Sequence, residues 1–182
     1  MTARPERPYL SKTLMLLRHA KSSWADSTLE DHDRPIQDKG RGRAANLAAW
    51  LDDRGIGCDL VLCSTALRTR QTLEIVLPVL GNPEVRFEPA IYEADADALL
   101  ALIQAIGEEH ERVLLVGHDP GLQLLAAKLA MTATGDAMER LKRKYPTAAF
   151  ALLSVGDANW AGLAAGMGHL ALFQVPQDAV VA

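Results

Sequence analysis

Short apolar runs alternate with helix-spaced apolar stripes along this chain, and no other feature constrains its fold as much. Met15-Leu16-Leu17, Asp59 to Cys63 and Arg112 to Gly117 are brief, and Val113 to Val116 is unbroken. Runs of this length and composition read as strands buried on both faces. Four stripes repeat at i, i+3, i+4 and i+7: Ala44/Leu47/Ala48/Leu51, Leu73/Val76/Leu77/Leu80, Leu99/Leu102/Ile103/Ile106 and Leu122/Leu125/Ala126/Leu129. Each is the buried face of a helix. Strands alternating with helices predict an α/β fold, a three-layer α/β/α sandwich with a mostly parallel central sheet. Glu84 to Phe87 adds a short strand, and Ala148 to Val155, Trp160 to Ala165 and His169 to Val175 read as late strands that edge the sheet. Gly135 to Tyr145 reads as a less regular, more exposed helix. Asp38, either Asp95 or Asp97, and Asp119 are the expected helix caps, with Pro120 as a first helical residue and Gly55 and Gly57 as a helix stop.

Composition sets the outer limits. A chain of 182 residues with 49% hydrophobic and 23% charged side chains is expected to form one globular domain, here residues 13–182. Residues 1–12 are polar, carry Pro5 and Pro8, and read as a flexible N-terminal arm without the apolar centre of a signal peptide. A net charge of -4 argues against a general nucleic-acid binder, and no run approaches a membrane span. Cys58 and Cys63 flank one extended segment, too close along it to pair. Two reduced thiols lead to the expectation of a cytoplasmic protein, and the lack of a long exposed apolar stripe to that of a monomer.

Ligands of open α/β sheets bind outside the carboxyl ends of the strands. Arg18 and His19 fall at the end of the first strand, Arg68 at the start of the helix after the second, and His118 at the end of the Arg112–Gly117 strand. Converging on one rim, these cations and imidazoles describe an oxyanion pocket, most naturally for phosphate. Arg70 faces another way and reads as a surface residue; His32, His110 and His169 read as surface or edge residues. The polar connection from Lys21 to Lys39 carries Arg34-Pro35-Ile36, a charge on a stiffened backbone beside an apolar anchor. No Asp, Glu, His or Cys cluster has the spacing of a metal site, and no P-loop or G-x-S-x-G motif is present.

Leu17-Arg18-His19, the S-x-x-x-R-x-x-Q-T pattern of Ser64 to Thr72, and Gly117-His118 resemble the histidine phosphatase, or phosphoglycerate-mutase-like, superfamily. Arg18 to Trp24, and Asp33-Arg34-Pro35-Ile36 followed by Gly40, are similar to its SixA-type phosphohistidine phosphatases. Ala20 stands where many members of the superfamily, with their RHG motif, have glycine; SixA-like members tolerate alanine. The resemblance implies a metal-independent hydrolase, without cofactor, in which His19 is the nucleophile and Arg18, Arg68 and His118 bind the phosphoryl oxygens. Arg34 would be a further phosphate ligand, and Glu93 best matches the carboxylic acid that many members use to protonate the leaving oxygen. The mutases carry long insertions over the pocket, whereas here one helix fills the interval from Glu93 to Glu111. An open, shallow pocket suits a phosphorylated histidine on another protein, such as a histidine-containing phosphotransfer domain. The alternatives are a phosphomonoesterase for small sugar or nucleotide phosphates, or a phosphate-recognition module without turnover; His19 and His118 together favour catalysis.

Overall fold

A computed structural model describes residues 12–176. Its sheet has seven strands, β1 (Lys12–Arg18), β2 (Leu60–Cys63), β3 (Glu84–Phe87), β4 (Arg112–Gly117), β5 (Ala130–Ala133), β6 (Phe150–Gly156) and β7 (Gly168–Gln174), in the order β3-β2-β4-β1-β6-β7-β5. The pairs β2–β3, β2–β4, β1–β4 and β5–β7 are parallel, and β6 alone runs against both of its neighbours. Five helices cover the sheet: α1 (Asp38–Asp53), α2 (Leu67–Val76), α3 (Ala96–Gln104), α4 (Gly121–Leu129) and α5 (Ala137–Arg143). Alternation along β1 shows the layering. Met15 and Leu17 join Leu47 and Leu51 of α1 and Leu73 and Val76 of α2, while Leu14 and Leu16 join apolar residues of α3, α4 and α5. A strand buried on both faces needs helices on both sides, which gives the expected α/β/α sandwich.

Several expectations need correction. The arm lies outside the described residues except for Lys12, which is the first residue of β1, so the strand begins inside the segment read as the arm. Trp160 to Ala165 is no strand. Trp160–Gly162 is a single 3-10 turn, because the Asn159 side chain accepts from the Gly162 amide and the buried Trp160 indole donates to the His110 carbonyl. The helix near Gly135 is confined to Ala137–Arg143. Asp38 is the first helical residue of α1 rather than its cap, and α4 starts at Gly121, one residue beyond Pro120. Asp95 does cap α3, accepting from the Ala98 amide at 2.8 Å. Both cysteines are buried free thiols, which burial pushes up to about 12. Among the described residues no helix is long and apolar enough to cross a membrane.

Candidate active site

Register brings the expected residues together. Arg18, the last residue of β1, pairs with Gly117, the last of β4, so His19 and His118 leave adjacent strand ends. Their ring centroids are 5.3 Å apart. His19 is only 8% exposed, and its Nδ1 lies 2.8 Å from the Ala20 carbonyl oxygen. A carbonyl can only accept, so Nδ1 holds the proton and Nε2 keeps its lone pair. The Ala20 amide donates to Thr72 Oγ1, and the Thr72 hydroxyl donates to the Arg68 carbonyl, so α2 is tied directly to the residue after His19. His118 Nε2 and the Ser64 hydroxyl, at the end of β2, share a 2.8 Å hydrogen bond.

Electrostatics keep both rings neutral. Burial, together with the charges of Arg68 and Arg18, pushes the His19 pKa down to about 4. Burial, the neighbouring His19 and the Arg68 charge push that of His118 down to about 3. A ring that titrated at its ordinary value would be partly protonated near neutrality and lose its nucleophilic nitrogen.

Each arginine is held in place. Arg18 Nη1 donates to the Tyr145 carbonyl at 2.5 Å and lies 3.7 Å from an Asp119 carboxylate oxygen. Arg68, in the first turn of α2 and buried, donates to both the carbonyl and the carboxylate of Asp31, at 2.5 and 2.8 Å. The Arg34 guanidinium carbon sits 3.9 Å over the ring of Trp24, and its Nε is 3.7 Å from Asp31 Oδ1. Its Nε and Nη1 are buried and hydrogen-bond to no protein group, so they are donors suited to an anion. The loop that delivers Arg34 is clamped to α2 by the Ile36 amide, which donates to Gln71 Oε1 at 2.8 Å. Gln71 and Thr72 of the Ser64–Thr72 pattern therefore fasten the strand end and the loop around Arg68.

Other expected residues make no bond to these groups. Glu93 is exposed and makes no hydrogen bond or ion pair among the described residues, though its charge is near enough to help raise the Tyr92 pKa. Arg70 is exposed over the Phe87 ring, and His169 is bonded to Thr132 and Thr134 on the β7 side, as expected for an edge residue. Two other histidines differ from expectation. His110 is buried at the opposite end of the sheet among Asp59, Glu84 and Glu109, while His32 bonds to Thr65 and packs its ring 5.0 Å from that of Tyr92.

Asp31 and Tyr92 escaped the sequence reading. The Tyr92 hydroxyl donates to Asp31 Oδ2 at 2.8 Å, and its ring stands edge-on to His118 at 5.4 Å. Burial works to raise the Asp31 pKa, but hydrogen bonds from Tyr92 and Arg68 outweigh it and hold the carboxyl below its ordinary value. The usable signal was three residues from Arg34, since Asp31 stands one turn before it in the same loop.

Residues 14–113 match the model of the histidine phosphatase superfamily (branch 1). The chain belongs to that superfamily. The activity that this membership supports is that of a phosphatase, a hydrolase. An uncharacterized protein of Mycobacterium tuberculosis is 36% identical over 88% of this chain and its own full length. Among solved structures, a candidate phosphohistidine phosphatase SixA from Nakamurella multipartitia shares 34% identity and a TM-score of 0.79, with 91% of this chain and 96% of that one covered. Another such candidate, from Agrobacterium tumefaciens, shares 29% identity and a TM-score of 0.75 over 92% of this chain and all of its own. This histidine phosphatase is thus SixA-like in fold, with the phosphoglycerate-mutase-like sheet expected of the superfamily.

Proposed function

We propose that this protein is a phosphohistidine phosphatase that removes the phosphoryl group from a phosphorylated histidine on another protein, through a phosphoenzyme on His19. The observation that carries the reading is the state of His19. It is neutral and proton-pinned at Nδ1, with Nε2 available beside Arg18, Arg68 and His118. In the first step Nε2 forms a bond to phosphorus as the substrate N–P bond breaks, and the electron pair leaves with the substrate imidazole. Water then attacks the phosphoenzyme, the pair returns to Nε2, and the protons of water go to phosphate and solvent. Arg18, Arg34, Arg68 and His118 hold the phosphoryl oxygens, where most of the transition-state charge resides. The chemistry needs no metal ion or cofactor. The protein works as a cytoplasmic monomer, with the domain that begins at β1 as its catalytic unit.

Rapid quench with labelled phosphohistidine traps an acid-labile phosphoenzyme in the wild type and none in His19→Ala. Turnover by His19→Ala near the wild-type rate would remove the nucleophile assignment. Faster hydrolysis of sugar or nucleotide phosphates than of phosphohistidine would instead make the protein a phosphomonoesterase.

A further inference from the structure

We infer that the Asp31 carboxylate selects for a leaving group that carries its own positive charge, and so favours phosphohistidine over phosphate esters. The inference rests on the phosphohistidine reading above and adds the residue that sets the preference.

Position is the first support. His19 lies at the floor of the site, 8% exposed, while the Asp31 side chain is 48% exposed at its mouth. In-line displacement puts the leaving group opposite the nucleophile. A group displaced by His19 therefore departs toward the mouth, the side on which Asp31 stands. The chain of contacts is short: Asp31 to the Tyr92 hydroxyl at 2.8 Å, the Tyr92 ring to His118 at 5.4 Å, and His118 to His19 at 5.3 Å.

Chemistry is the second. With Arg68 and Tyr92 both donating to it, Asp31 stays ionised and has no proton to give. It cannot act as the general acid that an alkoxide requires. A fixed negative charge beside a departing alkoxide raises the barrier, since both are anions. Beside a phosphohistidine ring the same charge favours the protonated imidazolium, which brings its own proton and leaves as neutral imidazole when the N–P bond breaks. Glu93 is near enough for its charge to act on Tyr92, but it is exposed and accepts from neither Arg68 nor Tyr92, so it is not fixed at this point as Asp31 is.

The test compares wild type, Asp31→Asn, Asp31→Glu and Glu93→Gln on two substrates, phosphohistidine and an unactivated alkyl phosphate ester. The readouts are kcat/KM for each substrate and vanadate affinity. Asparagine keeps an acceptor for Arg68 and Tyr92 but removes the charge. In Asp31→Asn the ratio of kcat/KM for phosphohistidine over ester falls by about tenfold or more, and vanadate binds severalfold tighter because a neighbouring anion is gone. Asp31→Glu restores most of the ratio, and Glu93→Gln leaves it alone. A purely structural role, in which Asp31 only holds Arg68, would weaken vanadate and lower both substrates together; that outcome overturns the inference and leaves the phosphatase reading intact. A ratio unchanged in Asp31→Asn, or changed equally by Glu93→Gln, overturns it too. A wild type inactive on phosphohistidine overturns the function reading itself, and this inference with it.

Discussion

At the scale of single residues, the site consists of neutral imidazoles among fixed cations, and acid should reveal the cost of that arrangement. His19 and His118 titrate at about 4 and about 3 in the folded chain, below the ordinary histidine value of 6.5. Below pH 6.5 the unfolded chain takes up protons that the folded one refuses. Stability is therefore complete above pH 6.5 and falls as pH drops toward 4, by up to about 1.4 kcal/mol per pH unit for each ring. Melting temperatures at pH 7 and pH 5 check this: His118→Asn should lose less than the wild type across the interval. An equal loss would mean that His118 takes up protons alike in the folded and the unfolded chain, so that the fold does not lower its pKa. Arg18, His19, Arg68 and His118 were legible in the sequence because each sits where a buried apolar run stops, and the ends of parallel strands share one rim. Asp31 and Tyr92 were not. They lie in connections without periodicity, and their places depend on partners far along the chain: Gln71 for the first loop, Asp31 itself for Tyr92.

At the scale of elements, α1 controls the segment just after His19. Its first turn lies against the chain at Lys21, where the Gln37 amide donates to the Lys21 carbonyl at 2.9 Å. A Cβ on Gly40 would come within 2.5 Å of that carbonyl oxygen, whereas one on Gly42, in the same helix, would meet nothing within 4 Å. The two glycines should respond oppositely to alanine. Gly40→Ala must displace the Lys21 backbone and should cost about 1–3 kcal/mol and weaken vanadate binding. Gly42→Ala should gain up to about 1 kcal/mol through helix propensity and leave vanadate binding unchanged. Chemical denaturation and calorimetry on the two variants test this; a harmless Gly40→Ala would show that the close approach is not needed. The long apolar stripes announced α1 to α4, because each helix packs one face on the sheet. β5 left no such mark: Ala130-Met131-Thr132-Ala133 is short, half exposed and at the sheet edge, so no buried face imposes a pattern. Trp160 misled for the opposite reason, since a large buried aromatic mimics a strand residue while its indole is bonded to a loop carbonyl.

At the scale of the whole molecule, alternation of strands and helices was enough to name the sandwich, and only the reversal of β6 broke the parallel order. Strand β1 is central, yet both of its neighbours come much later: β4 at Arg112–Gly117 and β6 at Phe150–Gly156. The segment before β6 also holds the strand end, since the Ala148 amide donates to the Arg18 and His19 carbonyls and the Tyr145 carbonyl receives Arg18. Contacts this distant in sequence form slowly and only when both partners exist. Chains stalled on the ribosome with residues up to Arg143 exposed should gain no protection from proteolysis by vanadate, and chains exposed through Gln174 should. Protection in the shorter chains would show that β4 and α2 alone can shape the site. During synthesis, then, His19 emerges early and waits in an unarmed polypeptide. A half-made chain is therefore expected to hold no phosphate, and the pocket to form only once the segment before β6 has joined the end of β1.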